Sequence, residues 1–336
     1  RLFLQRICKK VKMLYSDIPL AQGVIELIKS YEIKHIVISP GSRNAPLTIG
    51  FNEDSYFTCY SIVDERCAGF FALGIAQQIQ QPVILVCTSG SALLNYYPAL
   101  SEAFYSQIPL IVLSADRPLN KIDIGDGQTI RQINVFQNHS LYNANLTEGE
   151  SDKNDYEINK AISIALDKKG PTHINAPFEE PLYKTVEEMT VSPVISTLVE
   201  TPKTISIDNI SSFVNVWNTT KKKLILIGVN NPTQIDSKII DTLTNDPSVM
   251  IMTETISNVS HPSFISNIDA IITPFDEKEF QAFQPELLIT LGGMVVCDSA
   301  NQAKELFQLL KKGSNQIVLV LNKKQLLNFG VMPMQK

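Results

Sequence analysis

Short apolar runs alternate with longer amphipathic stretches from Ala21 onward. The spacing predicts helices over Ala21–Tyr31, Asp64–Gln80, Ala92–Tyr105 and Glu157–Asp167. Between them lie candidate strands Ile36–Ile38, Val83–Val86, Leu110–Leu113 and Thr172–Asn175. These strands are rich in β-branched residues and apolar on both faces, the pattern of a parallel sheet covered by helices on each side. A Pro/Thr/Val/Glu-rich stretch, Lys184 to Lys203, has no clear periodicity and reads as a linker. A second alternating set follows, with strands at Leu224–Ile227, Val249–Met252, Leu287–Ile289 and Ile317–Val320. The expected organisation is two doubly wound α/β domains with parallel sheets, over 13–185 and 205–336, joined by a linker at 186–204.

Composition narrows the class. The 336 residues suffice for two cores, and 44% hydrophobic with 19% charged residues is a globular balance. A net charge of −5 argues against a nucleic-acid surface. No apolar run approaches the roughly 18 residues of a membrane span. Cys8, Cys59, Cys67, Cys87 and Cys297 form no CxxC pair and are odd in number, which points to reduced thiols and a cytoplasmic location. The basic start Arg1–Lys12 lacks a signal-peptide cleavage site and is left out of the fold argument, the domain proper beginning at Met13.

Candidate chemistry gathers where strands end. Ser39-Pro40-Gly41-Ser42-Arg43-Asn44 breaks the run Ile36–Ile38, and ligands of open α/β sheets bind at such carboxyl ends. Ala115-Asp116-Arg117-Pro118 does the same after Leu110–Leu113, and Thr88-Ser89-Gly90-Ser91 after Val83–Val86. Arg43 and Arg117 are either solvated loop arginines or a pair of planar forks for a substrate with more than one carboxylate. Glu65 follows Asp64, a natural helix cap. It is either a surface glutamate favoured by the helix dipole or, given the small residues Ala68, Gly69, Ala72 and Gly74 behind it, a partly desolvated carboxylate. The Thr88–Ser91 turn matches neither the G-x-S-x-G nor the Walker pattern. Gly125-Asp126-Gly127 with Asn154 downstream imitates a magnesium-diphosphate motif, but no buried strand leads into it. The histidines His35, His139, His173 and His261 show no ligand spacing, and no metal site is expected within the chain.

Taken together, SPGSR (Ser39–Arg43), DER with Ala-Gly-Phe (Asp64–Phe70), TSGSA (Thr88–Ala92), NYYPALSEA (Asn95–Ala103), SADRP (Ser114–Pro118) and GDGQTIRQ (Gly125–Gln132) resemble the N-terminal part of the 2-succinyl-5-enolpyruvyl-6-hydroxy-3-cyclohexene-1-carboxylate synthases. These are thiamine diphosphate enzymes of menaquinone biosynthesis. The resemblance implies a pyrimidine-binding domain and a central domain here. The diphosphate domain, with its Mg²⁺ or Mn²⁺ ligands, is expected to be missing, which makes the chain a fragment inactive alone. Glu65 is then expected to hydrogen-bond the pyrimidine ring nitrogen, with Pro40 and Thr88 lining that pocket. Arg43 and Arg117, beside Ser42 and Gln128, are expected to hold isochorismate, to which the unit left by decarboxylation of 2-oxoglutarate is added in a 1,4 sense. Gly127 stands where many relatives have asparagine, which removes one side-chain contact. The resemblance also implies a homo-oligomer, dimer or tetramer, with the cofactor between subunits. Two rivals are an acetolactate-synthase-like carboligase and a non-catalytic nucleotide-binding protein using Gly228 and Gly292-Gly293.

Overall fold

The computed structural model describes residues 13–149, 151–196, 207–232, 234–293 and 317–321. The chain divides into two compact units, Arg1–Glu200 and Thr201–Lys336.

In the first unit the order is β1 (Tyr15–Ser16), α1 (Pro19–Ser30), β2 (His35–Ile38), α2 (Ala45–Glu53), β3 (Thr58–Ser61), α3 (Glu65–Ile79), β4 (Val83–Cys87), α4 (Tyr97–Tyr105), β5 (Leu110–Asp116), β6 (Tyr142–Asn145), α5 (Asp152–Lys168), β7 (Thr172–Pro177) and β8 (Thr185–Val186). Six strands form a parallel sheet in the order β3-β2-β4-β5-β7-β6. The two-residue period of each strand divides its side chains between two cores. Ile36, Ile38, Ile84, Val86, Ile111 and Leu113 pack under α1, α2 and α5. Val37, Val83, Leu85, Leu110 and Val112 pack under α3 and α4. This is why the strands read as apolar on both faces. From β2 the chain first moves outward to β3, then returns to β4 on the other side of β2. The carboxyl ends of β2 and β4 therefore flank the switch point, where a crevice opens in such sheets.

Three expectations are corrected. The segment Ala92–Tyr105 is not one helix: a 3-10 stretch, Gly90–Tyr96, precedes α4, whose second residue is Pro98. Proline lacks an amide hydrogen and suits only a first helical turn, so the α-helix starts there. The polar helix α5 begins at Asp152, capped by Ser151, whose side chain accepts from the Asn154 amide at 3.2 Å. The linker expected from Lys184 is, over its described part to Ser196, a strap on the first unit. β8 pairs antiparallel with β1, Val191 is buried, and Gln22 accepts from the Thr190 amide at 2.8 Å. Asp155 and Asn159 accept from the amides of Val194 and Ser196 at 2.8 and 3.2 Å.

The second unit comprises α6 (Ile207–Thr219), β9 (Lys223–Ile227), α7 (Ser237–Thr244), β10 (Val249–Thr253), α8 (Ile268–Ile272), α9 (Glu277–Phe283), β11 (Leu287–Leu291) and β12 (Ile317–Leu321). Its sheet is parallel, in the order β10-β9-β11-β12. Leu224, Leu226 and Leu288 fill one face, and Ile225, Ile227 and Ile289 the other. Among the described residues no helix is long and apolar enough to cross a membrane.

Candidate active site at the switch point of the first sheet

A cavity of about 670 Å³ opens at the carboxyl ends of β2 and β4. Its walls come from the loop after β2 (Pro40, Gly41, Ser42), the start of α3 (Val63, Glu65), the turn after β4 (Thr88 to Ala92, with Asn95) and the segment Gln128–Ile130. Five residues named from sequence, Pro40, Ser42, Glu65, Thr88 and Gln128, are thus brought to one space.

Local chemistry fixes each wall. Asp64 caps α3, its carboxylate accepting from the amides of Arg66 and Cys67 at 3.0 and 3.2 Å. Glu65 is consequently spared that task and stands half-buried on the cavity. Its charge is felt at the end of β4: the Cys87 thiol is pushed up first by burial and then by Glu65. The two loops meet tightly. A Cβ on Gly41 would lie 2.4 Å from Thr88 Cβ. Gly90 holds φ at +88°, and a Cβ there would lie 2.8 Å from the Gln128 carbonyl oxygen. Only glycine admits that approach without strain.

The arginines sit one bond back from the walls. Arg43 is 5% exposed; it donates through Nη1 to the Phe178 carbonyl at 2.9 Å and through Nη2 to Glu180 Oε1 at 3.3 Å. Its Nε is buried without a hydrogen-bond partner. Arg117 donates from Nε to Asp126 at 3.1 Å, and from Nη1 to Ser89 Oγ at 2.6 Å and the Gln128 carbonyl at 3.2 Å. Neither fork is a free loop arginine. Asp126 thus answers Arg117, while Asn154 closes the turn before α5 through Thr147 and Gly149.

Behind them lies a buried polar layer that the sequence did not single out: Ser114, Asp116, Gln132, His173 and Asn175. Burial raises the Asp116 carboxyl, against hydrogen bonds from Asn175 and the Arg117 amide. Burial lowers His173 to about 3, so the ring is neutral, sharing a 2.7 Å hydrogen bond with Ser114. The sequence signals were the SADRP run, which contains Ser114 and Asp116, and the GDGQTIRQ run, which contains Gln132; neither says that these side chains are inside.

The cavity thus combines, in a space of ligand size, a half-buried carboxylate with backbone that two glycines allow to come close. Residues 18–141 match the family model described as thiamine pyrophosphate enzyme, N-terminal TPP binding domain. The chain is 64% identical over 284 residues to a protein of Flavobacterium psychrophilum named 2-succinyl-5-enolpyruvyl-6-hydroxy-3-cyclohexene-1-carboxylate synthase. The chain belongs to this synthase family. Proteins of the same name from Flavobacterium johnsoniae and Christiangramia forsetii are 62% identical over 285 residues and 49% identical over 307. Each alignment covers 84% of this chain, and 51%, 51% and 53% of the respective relatives. The chain therefore spans about half the length of the synthases it matches. Within that half, the family-model match contains every site residue named from sequence and the whole switch-point cavity.

Proposed function

We propose that this chain supplies the pyrimidine-side half of a thiamine diphosphate site for 2-succinyl-5-enolpyruvyl-6-hydroxy-3-cyclohexene-1-carboxylate synthesis. The observation that carries the reading is Glu65, freed from capping by Asp64 and set on the wall of the switch-point cavity that Thr88 and Gly90 also line. When bound, thiamine diphosphate supplies the electron sink for losing CO₂ from 2-oxoglutarate and passing the remaining unit to isochorismate. Glu65 holds a proton between its carboxylate and a pyrimidine ring nitrogen and so biases the ring's tautomer. Pro40 and Thr88 shape the ring's wall.

On the acceptor side, Ser42 and Gln128, both exposed and both lining the cavity, make direct contacts with the substrate. Arg43 and Arg117 supply the positive field for isochorismate's two carboxylates. Arg43 keeps the Phe178 carbonyl and exchanges Glu180, whose side chain is 68% exposed, for a substrate carboxylate. The Mg²⁺ ligands and the grip on the diphosphate belong, in this reading, to the part of the relatives this chain does not span. The same reading includes a homo-oligomer and a cytoplasmic setting with reduced thiols.

The test is isochorismate-dependent decarboxylation of 2-oxoglutarate with thiamine diphosphate and Mg²⁺. It is run on this chain and on the full reading frame that contains it. Turnover that requires both substrates supports the reading. Carboligation of pyruvate alone, or binding of NAD, FAD or ADP without turnover, sinks it in favour of another carboligase or a nucleotide-binding protein.

A further inference from the structure

The Gly90 amide, on the cavity wall, donates to Oε1 of Gln132 at 2.8 Å. Gln132 is 1% exposed. Its Nε2 donates to Asn175 Oδ1 at 2.8 Å and to the Ala115 carbonyl at 3.2 Å, with Ser114 Oγ at 3.5 Å. Asn175 Nδ2 donates to Asp116 Oδ2 at 2.8 Å, and Asp116 Oδ1 accepts from the Arg117 amide at 2.8 Å. Arg117 Nη1 then donates to Ser89 Oγ at 2.6 Å. Ser89 precedes Gly90, so the path closes on itself. This ring joins the ends of β4, β5 and β7. The Arg117 bond to the Gln128 carbonyl hangs the Gln128 loop from it.

Gly90 has no side chain with which to brace its own left-handed turn, and Gln128 carries a positive φ of 55°. Both walls are held from outside. Only a primary amide can accept from Gly90 on one atom while donating twice from the other. We propose that Gln132 is a positioning residue that locks the Gly90 turn to the Gln128 loop, so that the two walls of the cavity hold as one piece. The kinetic consequence rests on the synthase reading; the geometric one does not.

Hydrogen–deuterium exchange on the chain as it stands tests the geometry with two variants. Gln132→Met fills the volume without hydrogen bonding, and Gln132→Glu keeps an acceptor for Gly90. Leaving the Gly90 amide and Asn175 unpaired is expected to speed exchange in peptides covering 88–91 and 126–130 together, by about tenfold for Gln132→Met. Peptides of β2 and β4 stay as in the parent, and Gln132→Glu recovers part of the protection at 88–91. In the full reading frame, Gln132→Met raises the KM for isochorismate and the Kd for thiamine diphosphate together, each by about tenfold, with a smaller change in kcat. Gln128→Ala raises that KM alone. Acceleration at one segment only, at every strand, or at neither overturns the proposal. A parent protein that turns over no isochorismate but shows the paired exchange response defeats the synthase reading and leaves Gln132's role standing.

Discussion

The backbone amide of Arg43 donates to the hydroxyl of Thr88 at 3.2 Å, joining the loops after β2 and β4 across the switch point. Gly41 permits the bond, since a Cβ there would overlap Thr88 Cβ at 2.4 Å. Neither partner is the end of a flexible side chain, so Gly41→Ala must part the two loops. It is expected to cost about 1–3 kcal/mol, read as a lower urea midpoint at unchanged slope.

Glu65 and its neighbour separate chemistry from stability. Asp64→Ala removes the cap of α3 and is expected to cost about 1 kcal/mol. Glu65→Gln leaves the Asp64 cap intact and should not move the melting temperature beyond a degree or so. On the proposed reading it lowers turnover of the full reading frame by at least about 10²-fold. Melting curves and steady-state assays on both variants check the split; a Glu65→Gln protein with parental turnover removes the carboxylate from the mechanism.

His173 makes the fold sensitive to acid. Its pKa is about 3 in the folded protein against 6.5 as the ordinary value. The unfolded chain therefore binds the proton first, and stability is full above pH 6.5. It is lost as pH falls below that value toward 3, at up to about 1.4 kcal/mol per pH unit. Asp116, raised by burial, has the opposite sign: protonation in that range favours the folded state. Unfolding free energies measured from neutral pH downward should show a shallower decline in His173→Gln than in the parent.

Asn159 anchors the strap. Its Oδ1 accepts from Tyr31 Oη at 3.0 Å and from the Ser196 amide at 3.2 Å, and its Nδ2 donates to the Val194 carbonyl at 2.8 Å. Asn159→Ala leaves buried groups unpaired, at about 1–3 kcal/mol. Limited proteolysis should cut faster within 187–196, while circular dichroism reports an unaltered sheet. Equal cleavage rates would show that β8, Gln22 and Asp155 hold the strap without Asn159.

What the sequence made legible follows from how each element is stabilised. β2, β4 and the first half of β5 announce themselves because both faces are buried under apolar side chains. β7, THINAP, is buried on both faces yet carries Thr172, His173 and Asn175 inside. β3 and β6, at the sheet edges with polar sequences TCYS and YNAN, are half exposed and carry no such signal. The strap escaped because Gln22, Asp155 and Asn159 hold its backbone from residues distant in sequence. At the site, strand-end logic reached the loops that carry Pro40, Ser42 and Thr88, the helix start pointed to Glu65, and Gln128 came from the family resemblance alone. The arginines were legible as charges near the crevice but not as forks already engaged by Phe178, Glu180, Asp126 and Ser89. Gln132 was invisible for the same reason as the strap: its partners lie on other strands.

The closed path through Gly90, Gln132, Asn175, Asp116 and Arg117 also limits how this protein can drift. A single replacement within it strands a buried donor or acceptor, so changes there must arrive in compensating sets. Ser42 and Gln128 also line the cavity, and their side chains are not members of the path. On the proposed reading, a descendant lineage can alter which acid it accepts by changing those two positions one step at a time, while the frame behind them is inherited whole.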